Sequence, residues 1–186
     1  MTARPTTSEV EFLRREWDDR ARTAPLDADY YRSGDGDVER DIVPHIAARG
    51  TVLDIGCGAG RMTRALSRVF ERVYAVDISA GMVSLARTAL QDLPHVRVFQ
   101  NDGLSLGMIR EPVDLAIAIG VFPHLAAEWI ENYARAVWQL LRPGGAFVFE
   151  IPAEFASCLE GYETVRREGA GRPYDLLWCV RAGRRD

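Results

Sequence analysis

Apolar residues in this chain fall into short runs, and longer segments with a helix-like spacing separate them. Short apolar runs rich in Val, Ile, Leu and Phe predict β-strands. Five such runs follow one another with the spacing of a doubly wound, mostly parallel α/β sheet. The nearly continuous fourth run is typical of a strand covered by helices on both faces. The five predicted strands lie within 52–55, 72–77, 96–103, 113–122 and 146–150.

The first fifty residues show a different pattern. Residues 10–21 predict a helix, because Val10, Leu13 and Trp17 would share one apolar stripe. Residues 27–37 are rich in aspartate and glycine, which predicts turns. We expect the next helix to begin at Val38 and to lead into the first strand.

Composition limits the classes of protein that fit. A hydrophobic content of 47% in 186 residues predicts one domain with a full core. The longest apolar stretch is too short to cross a bilayer, and the polar start of the chain favours a cytoplasmic protein. The net charge is −4, so nucleic acid is not expected as a partner. The sequence leaves a homodimer open.

A glycine loop directly after the first predicted strand indicates a nucleotide-type cofactor site. Gly56, Gly58 and Gly60 stand on alternate positions, and Asp54 precedes the first of them by two residues. Glycine permits a tight turn and a close approach of a ligand to the backbone. A dinucleotide-binding loop would place its third glycine one residue later, where this chain has Arg61.

This Asp-x-Gly-x-Gly-x-Gly segment resembles the first motif of the class I S-adenosylmethionine (SAM) methyltransferases. With the later strands in order, the resemblance covers about residues 40 to 182. It implies a seven-stranded, mostly parallel sheet whose last strand is antiparallel. Residues 162–166 and 175–181 are then the sixth and seventh strands, and 152–161 leave room only for a very short helix.

The resemblance also implies which residues hold SAM, whose product is S-adenosylhomocysteine (SAH). Asp77 ends the second predicted strand, and such an acid accepts hydrogen bonds from both ribose hydroxyls. The other interpretation of Asp77 is a cap for the helix that follows. Asp102, after the third strand, would meet the adenine amino group. The remaining predicted cofactor contacts are Asp54, Gly56, Cys57, Gly58, Gly60, Arg61, Ile78, Met82, Gly103 and Gly120.

The predicted acceptor side combines a lid, residues 1–37, with the rim of the core, residues 38–186. Tyr30 and Tyr31 would close over the methionine end of SAM and the acceptor, unless they only pack between helices. Phe122 suggests a partly apolar pocket. His124, just beyond the fourth strand, is the candidate general base. It would otherwise cap the next helix or pack beneath its loop.

Two missing motifs narrow the acceptor to a small molecule. The Asp/Asn-Pro-Pro-aromatic loop of nucleic-acid and glutamine methyltransferases is replaced here by residues 120–123, Gly-Val-Phe-Pro. The carboxylates of metal-dependent catechol-type enzymes have no match there either, so we expect no metal. The sequence thus predicts a SAM-dependent methyltransferase. A noncatalytic SAM-binding regulator or partner subunit stays open, and an NAD-dependent oxidoreductase fits less well because of the glycine spacing.

Overall fold

The computed structural model describes residues 5–24, 26–151, 162–168 and 174–181. The helices are α1 (Thr7–Ala21), α2 (Ala28–Asp41), α3 (Arg61–Leu66), α4 (Ala80–Ala89) and α5 (Ala127–Leu140), with 3-10 turns at Val43–His45 and Phe122–His124. The strands are β1 (Thr51–Ile55), β2 (Arg72–Asp77), β3 (Val96–Gln100), β4 (Val113–Ala118), β5 (Leu141–Ile151), β6 (Tyr162–Glu168) and β7 (Asp175–Arg181).

The strands form one seven-stranded sheet in the order β3-β2-β1-β4-β5-β7-β6. β2 lies parallel to β1 and β3, and β4 lies parallel to β5. β7 runs antiparallel to both β5 and β6. The predicted α/β fold with a mostly parallel sheet and an antiparallel last strand is therefore confirmed. The very short helix expected at 152–161 lies outside the described residues.

The chain divides after Gly103 into two compact units. The unit from Thr6 to Gly103 contains α1 to α4 and β1 to β3. All five residues of β1 are buried, which is the expected burial of an inner parallel strand. Its register against β2 places Ile55 beside Val76, so the ends of the two strands lie at the same level.

The second unit begins at Leu104 and contains α5 and β4 to β7. An aromatic cluster fills its core: the ring centroids of Phe147 and Phe149 are 4.6 Å apart, and Phe122 packs against both. α5 covers this core with one apolar face. The buried residues of that face are Trp129, Ile130, Tyr133, Ala134 and Val137.

The predicted turns at 27–37 are wrong, because α2 runs through this segment. Asp27 caps the helix, and its carboxylate accepts a hydrogen bond from Tyr30 N at 2.8 Å. Val38 does not start a helix but lies buried within α2, and Ile42 is buried just after the helix ends. Tertiary burial outweighs the low helix propensity of the glycines.

Strand boundaries also differ from the predictions. β3 ends at Gln100 and β4 at Ala118, both earlier than expected. β5 begins at Leu141, and its pairing with β4 is irregular: Val113 pairs with Leu141, but Leu115 pairs with Ala146. The predicted helix stop at Pro-Gly-Gly therefore lies within this irregular strand start. No helix in the described part of the chain combines the length and apolar character needed to cross a membrane.

Candidate cofactor-binding site

The glycine loop turns through three left-handed positions. Gly56, Gly58 and Gly60 have φ angles of 69°, 54° and 92°, a region that residues with side chains rarely adopt. The loop is fixed to the neighbouring strand, since the backbone N–H groups of Gly56 and Cys57 both donate to Val76 O, at 2.8 and 3.0 Å. The alternate glycines thus satisfy a backbone requirement.

Gly58 and Gly60 have different surroundings. A Cβ atom on Gly60 would lie 3.0 Å from the side chain of Leu90, so this glycine permits close packing against α4. A Cβ atom on Gly58 would meet only the Tyr30 hydroxyl, at 4.0 Å. Gly58 is therefore the position of this pair where the backbone faces open space and a ligand can approach it.

Asp77 joins the glycine loop to the end of β2. Its Oδ2 accepts a hydrogen bond from Gly58 N at 2.8 Å, and its Oδ1 accepts one from Ser79 N at 2.9 Å. Burial raises the pKa of Asp77, and the backbone hydrogen bonds from Ser79, Gly58 and Ile78 oppose that rise. The helix cap is Ser79, whose hydroxyl accepts from Met82 N at 3.0 Å, so the interpretation of Asp77 as the cap is wrong.

The carboxylate of Asp77 retains capacity for a ligand. Each carboxylate oxygen can accept about two hydrogen bonds. Backbone N–H groups of Gly58, Ser79 and Ile78 bond to this carboxylate, which leaves about one of its four acceptor positions. A ribose hydroxyl would match this position, so the residues present fit a nucleoside cofactor such as SAM.

Asp54 lies beneath the loop and is almost fully buried. Its Oδ2 accepts a hydrogen bond from the Thr63 hydroxyl at 2.6 Å. Burial raises the pKa of Asp54 to about 7, although the Thr63 bond and the charge of Arg61 oppose the rise. Burial also raises the pKa of the neighbouring Cys57 thiol well above its ordinary value.

Other predicted cofactor residues follow Asp77 or end the next strand. Ile78 and Met82 are 9% and 7% exposed, so both pack close to the strand end. Asn101 N donates to Asp77 O at 2.9 Å, which holds the end of β3 beside that of β2. Asp102 is exposed, and Gly103 is buried with a φ of 79°.

The predicted lid tyrosines contact the glycine loop. The Tyr31 hydroxyl donates to Ala59 O at 3.3 Å, and the Tyr30 hydroxyl would lie 4.0 Å from a Cβ atom on Gly58. The two rings meet edge to face with centroids 5.1 Å apart. Burial raises the pKa of both phenols. Both tyrosines therefore lie at the glycine loop, and their role as a lid stays a prediction.

Two acids that sequence reasoning missed hold the N-terminal helices in place. Asp37 of α2 forms an ion pair with Arg61, which also donates to the Ser33 hydroxyl at 3.3 Å. The Arg61 guanidinium, predicted to bind cofactor, is therefore engaged by α2. Asp18 of α1 accepts from the Ser79 hydroxyl at 2.5 Å. In the sequence Asp18 directly follows Trp17 of the apolar stripe, and no motif marks it.

In the second unit, Gly120 and His124 lie just beyond β4. Gly120 is exposed with a φ of 71°, and its N–H donates to the carboxylate of Glu150 at 2.9 Å. His124 is exposed, so it does not pack beneath its loop. α5 has Ala126 at its N-cap and no side-chain cap bond, so His124 does not cap it. Glu150, which fixes this turn, was not predicted.

Phe122 is a core residue. Its side chain is fully buried, and its ring packs against Tyr133, Phe147 and Phe149. This packing gives no support to Phe122 as an acceptor contact. Among the described residues, no group of three His, Cys, Asp or Glu side chains is arranged to hold a metal ion.

Comparison with known sequences agrees with this site. A family model described as a methyltransferase domain matches residues 52–145, which include the glycine loop and Asp77. The trans-aconitate 2-methyltransferase of Deinococcus radiodurans is 29% identical over 105 residues, 55% of this chain and 38% of that protein. The ubiquinone biosynthesis O-methyltransferase of Ruegeria pomeroyi is 29% identical over 164 residues, 81% of this chain and 65% of that protein. The chain thus spans less than two thirds of each relative.

Comparison with solved structures agrees with the fold. The N-methyltransferase NodS from Bradyrhizobium japonicum WM9, in complex with SAH, superposes with a TM-score of 0.75. The match covers 91% of this chain and 98% of NodS at 18% sequence identity, so it is a likeness of fold. Together with the family match over half of its length, this places the chain in the class I SAM-dependent methyltransferase family.

Proposed function

We propose that this protein transfers the methyl group of SAM to a small-molecule acceptor. The observation that carries the proposal is the hydrogen bond from Gly58 N to Asp77. This bond joins the glycine loop to the acid that would bind the ribose. Tyr30 and Tyr31 lie against the same loop from α2. The site is thus positioned to hold a nucleoside and to keep water away from its reacting end.

The chemistry needs alignment more than it needs reactive side chains. SAM supplies a methyl group on a positively charged sulfur, which departs as the neutral thioether of SAH. The acceptor atom supplies the electron pair for the new bond, and any proton it carries must leave. Alignment and exclusion of water provide most of the acceleration of such a displacement. The glycine loop and Asp77 would align the donor, and the two tyrosines would exclude water.

His124 is the proposed base when the acceptor is a hydroxyl or an ammonium group. Its exposed imidazole stands on the turn after β4. Ligands of open α/β sheets bind beyond the carboxyl ends of the strands, which supports a role for this turn. Imidazole is the side chain most often used for proton transfer near neutral pH. The bond between Gly120 and Glu150 would hold the turn in place.

The relatives support a small-molecule acceptor without naming it. By their names, they act on trans-aconitate, in ubiquinone biosynthesis and on a nitrogen atom. Such different acceptors on one fold are expected, because acceptor choice depends on loops around a shared cofactor site. We therefore propose the class of reaction and leave the acceptor to experiment.

Turnover of radiolabelled SAM with a panel of carboxylic acids, phenols and amines tests the proposal. We expect SAH to form with at least one acceptor and not with a Gly58→Val variant. Calorimetry with SAH on the same samples separates the other outcomes. Binding of SAH without turnover on the whole panel would favour a noncatalytic SAM-binding regulator, and absence of binding would contradict the cofactor site itself.

A further inference from the structure

A chain of hydrogen bonds runs from α1 to the predicted ribose-binding acid. The Ser79 hydroxyl donates to Asp18 Oδ1 at 2.5 Å, and Gly81 N donates to the same oxygen at 3.0 Å. Ser79 N donates in turn to Asp77 Oδ1 at 2.9 Å. Asp18 and Asp77 are thus connected through one serine, although they are far apart in the sequence.

Ser79 commits its single hydroxyl proton to Asp18. It is fully buried, and its hydroxyl accepts from Met82 N while it donates its single proton to Asp18. A hydrogen bond to a carboxylate is shorter and roughly twice as strong as a neutral one. Donation by Ser79 holds the pKa of Asp18 below its usual range, so the carboxylate is charged at neutral pH. Loss of that charge would weaken the bond from the Ser79 hydroxyl.

The packing around Asp18 shows that α1 is closely fitted to this place. A Cβ atom on Gly81 would lie 2.9 Å from the Cβ atom of Ala21 and 3.4 Å from Asp18 Oδ1. Only glycine at this position lets α1 come so close. A negative side chain at the beginning of α4 is also favoured by the helix dipole. α1 is therefore held at the segment that begins with Asp77.

We propose that Asp18 is a positioning residue for the cofactor. It holds Ser79, and through Ser79 it orients the carboxylate of Asp77. Docking of α1 and binding of the cofactor then favour each other, because linkage between two binding events is reciprocal. This inference rests on the cofactor site of the proposed function, and it adds α1 to that site.

Calorimetry with SAH tests the proposal on the full chain. Asp18→Ala should weaken SAH binding about tenfold, the usual effect of losing one hydrogen bond to a charged group. Asp18→Asn keeps an oxygen acceptor and should recover part of that loss. Asp19→Ala is the matched control, because Asp19 follows directly on α1, lies exposed and pairs only with Arg22 among its described ion pairs. Its SAH affinity should equal that of the wild type.

Kinetics and a double variant separate positioning from plain stability. In Asp18→Ala the KM for SAM should rise about tenfold, with kcat changed by no more than about twofold. In an Asp77→Ala background the Asp18→Ala change should weaken SAH binding no further, since its effect acts through Asp77. A residue that only stabilised the fold would lower the thermal midpoint and leave the affinity of the folded protein unchanged.

Hydrogen exchange provides a readout that holds even if Asp18→Ala folds poorly. SAH should slow exchange of α1 amides in the wild type, and this slowing should be smaller in Asp18→Asn. The inference is overturned if both Asp18 variants bind SAH within about twofold of the wild type, or if their losses persist in the Asp77→Ala background. Failure of the wild type itself to bind SAH would instead overturn the proposed function.

Discussion

A single added methyl group should distinguish two glycines of α2. A Cβ atom on Gly34 would lie 2.5 Å from the carbonyl oxygen of Arg61 and 3.0 Å from its carbonyl carbon. A Cβ atom on Gly36 would have no atom within 4 Å. Gly34→Ala should therefore push α2 away from the start of α3, whereas Gly36→Ala should leave it in place.

The structure sets the size of the effect. Ordinary contact begins at 3.4 Å, so the Gly34→Ala helix must retreat by about 0.9 Å from Arg61. Such overpacking costs about 1–3 kcal/mol. Both variants gain up to about 1 kcal/mol of helix propensity, since glycine is the weaker helix former. The gain cancels in the comparison, so Gly34→Ala should be less stable than Gly36→Ala by about 1–3 kcal/mol.

Urea unfolding of the two variants measures this difference directly. Gly34→Ala should also bind SAH more weakly than Gly36→Ala, because retreat of α2 would displace Tyr30 and Tyr31 from the glycine loop. Gly36→Ala should bind SAH like the wild type. Equal unfolding free energies and equal SAH affinities in the two variants would refute the close docking of α2 on this loop.

Three other substitutions test separate parts of the site. Gly58→Val should abolish SAH binding in a folded protein, because φ is +54° at this position and the added side chain would fill the open space; calorimetry checks it. His124→Ala should lower turnover by about 100-fold with SAH affinity nearly unchanged, and equal turnover would remove the proposed base. Burial raises the pKa of Asp54 from 3.8 to about 7, so the folded protein holds this proton more tightly and loses stability as the pH rises to 7. Between pH 5 and 8 the free energy of unfolding, measured with urea, should fall by about 3 kcal/mol less in Asp54→Asn than in the wild type. An equal fall in the two proteins would contradict this prediction.

The central part of the site could be predicted from sequence, because its chemistry is local. Alternate glycines after a buried strand predict a left-handed loop, and Gly56, Gly58 and Gly60 adopt it. An acid at the end of the next parallel strand must lie beside that loop, since the strand ends meet at one edge. The bond between Gly58 and Asp77 is the result.

The parts that failed depend on contacts distant in the sequence. Glycines in 27–37 predict turns, and packing against Arg61 and burial of Val38 help to make this segment helical. Phe122 could line a pocket or fill a core, and the choice depends on aromatic residues of β5. Asp18 gave no recognisable motif, because its partner Ser79 is brought to it only by the fold.

Binding of SAH to the wild type and to Asp77→Ala, measured side by side by calorimetry, is the most direct test of the cofactor site. We expect the wild type to bind one SAH per chain. Asp77→Ala should lose about 2 kcal/mol, roughly a 30-fold drop in affinity, because the ribose loses a charged acceptor. Equal affinity in the two proteins would contradict the assignment of Asp77 and, with it, the nucleoside site built on the glycine loop.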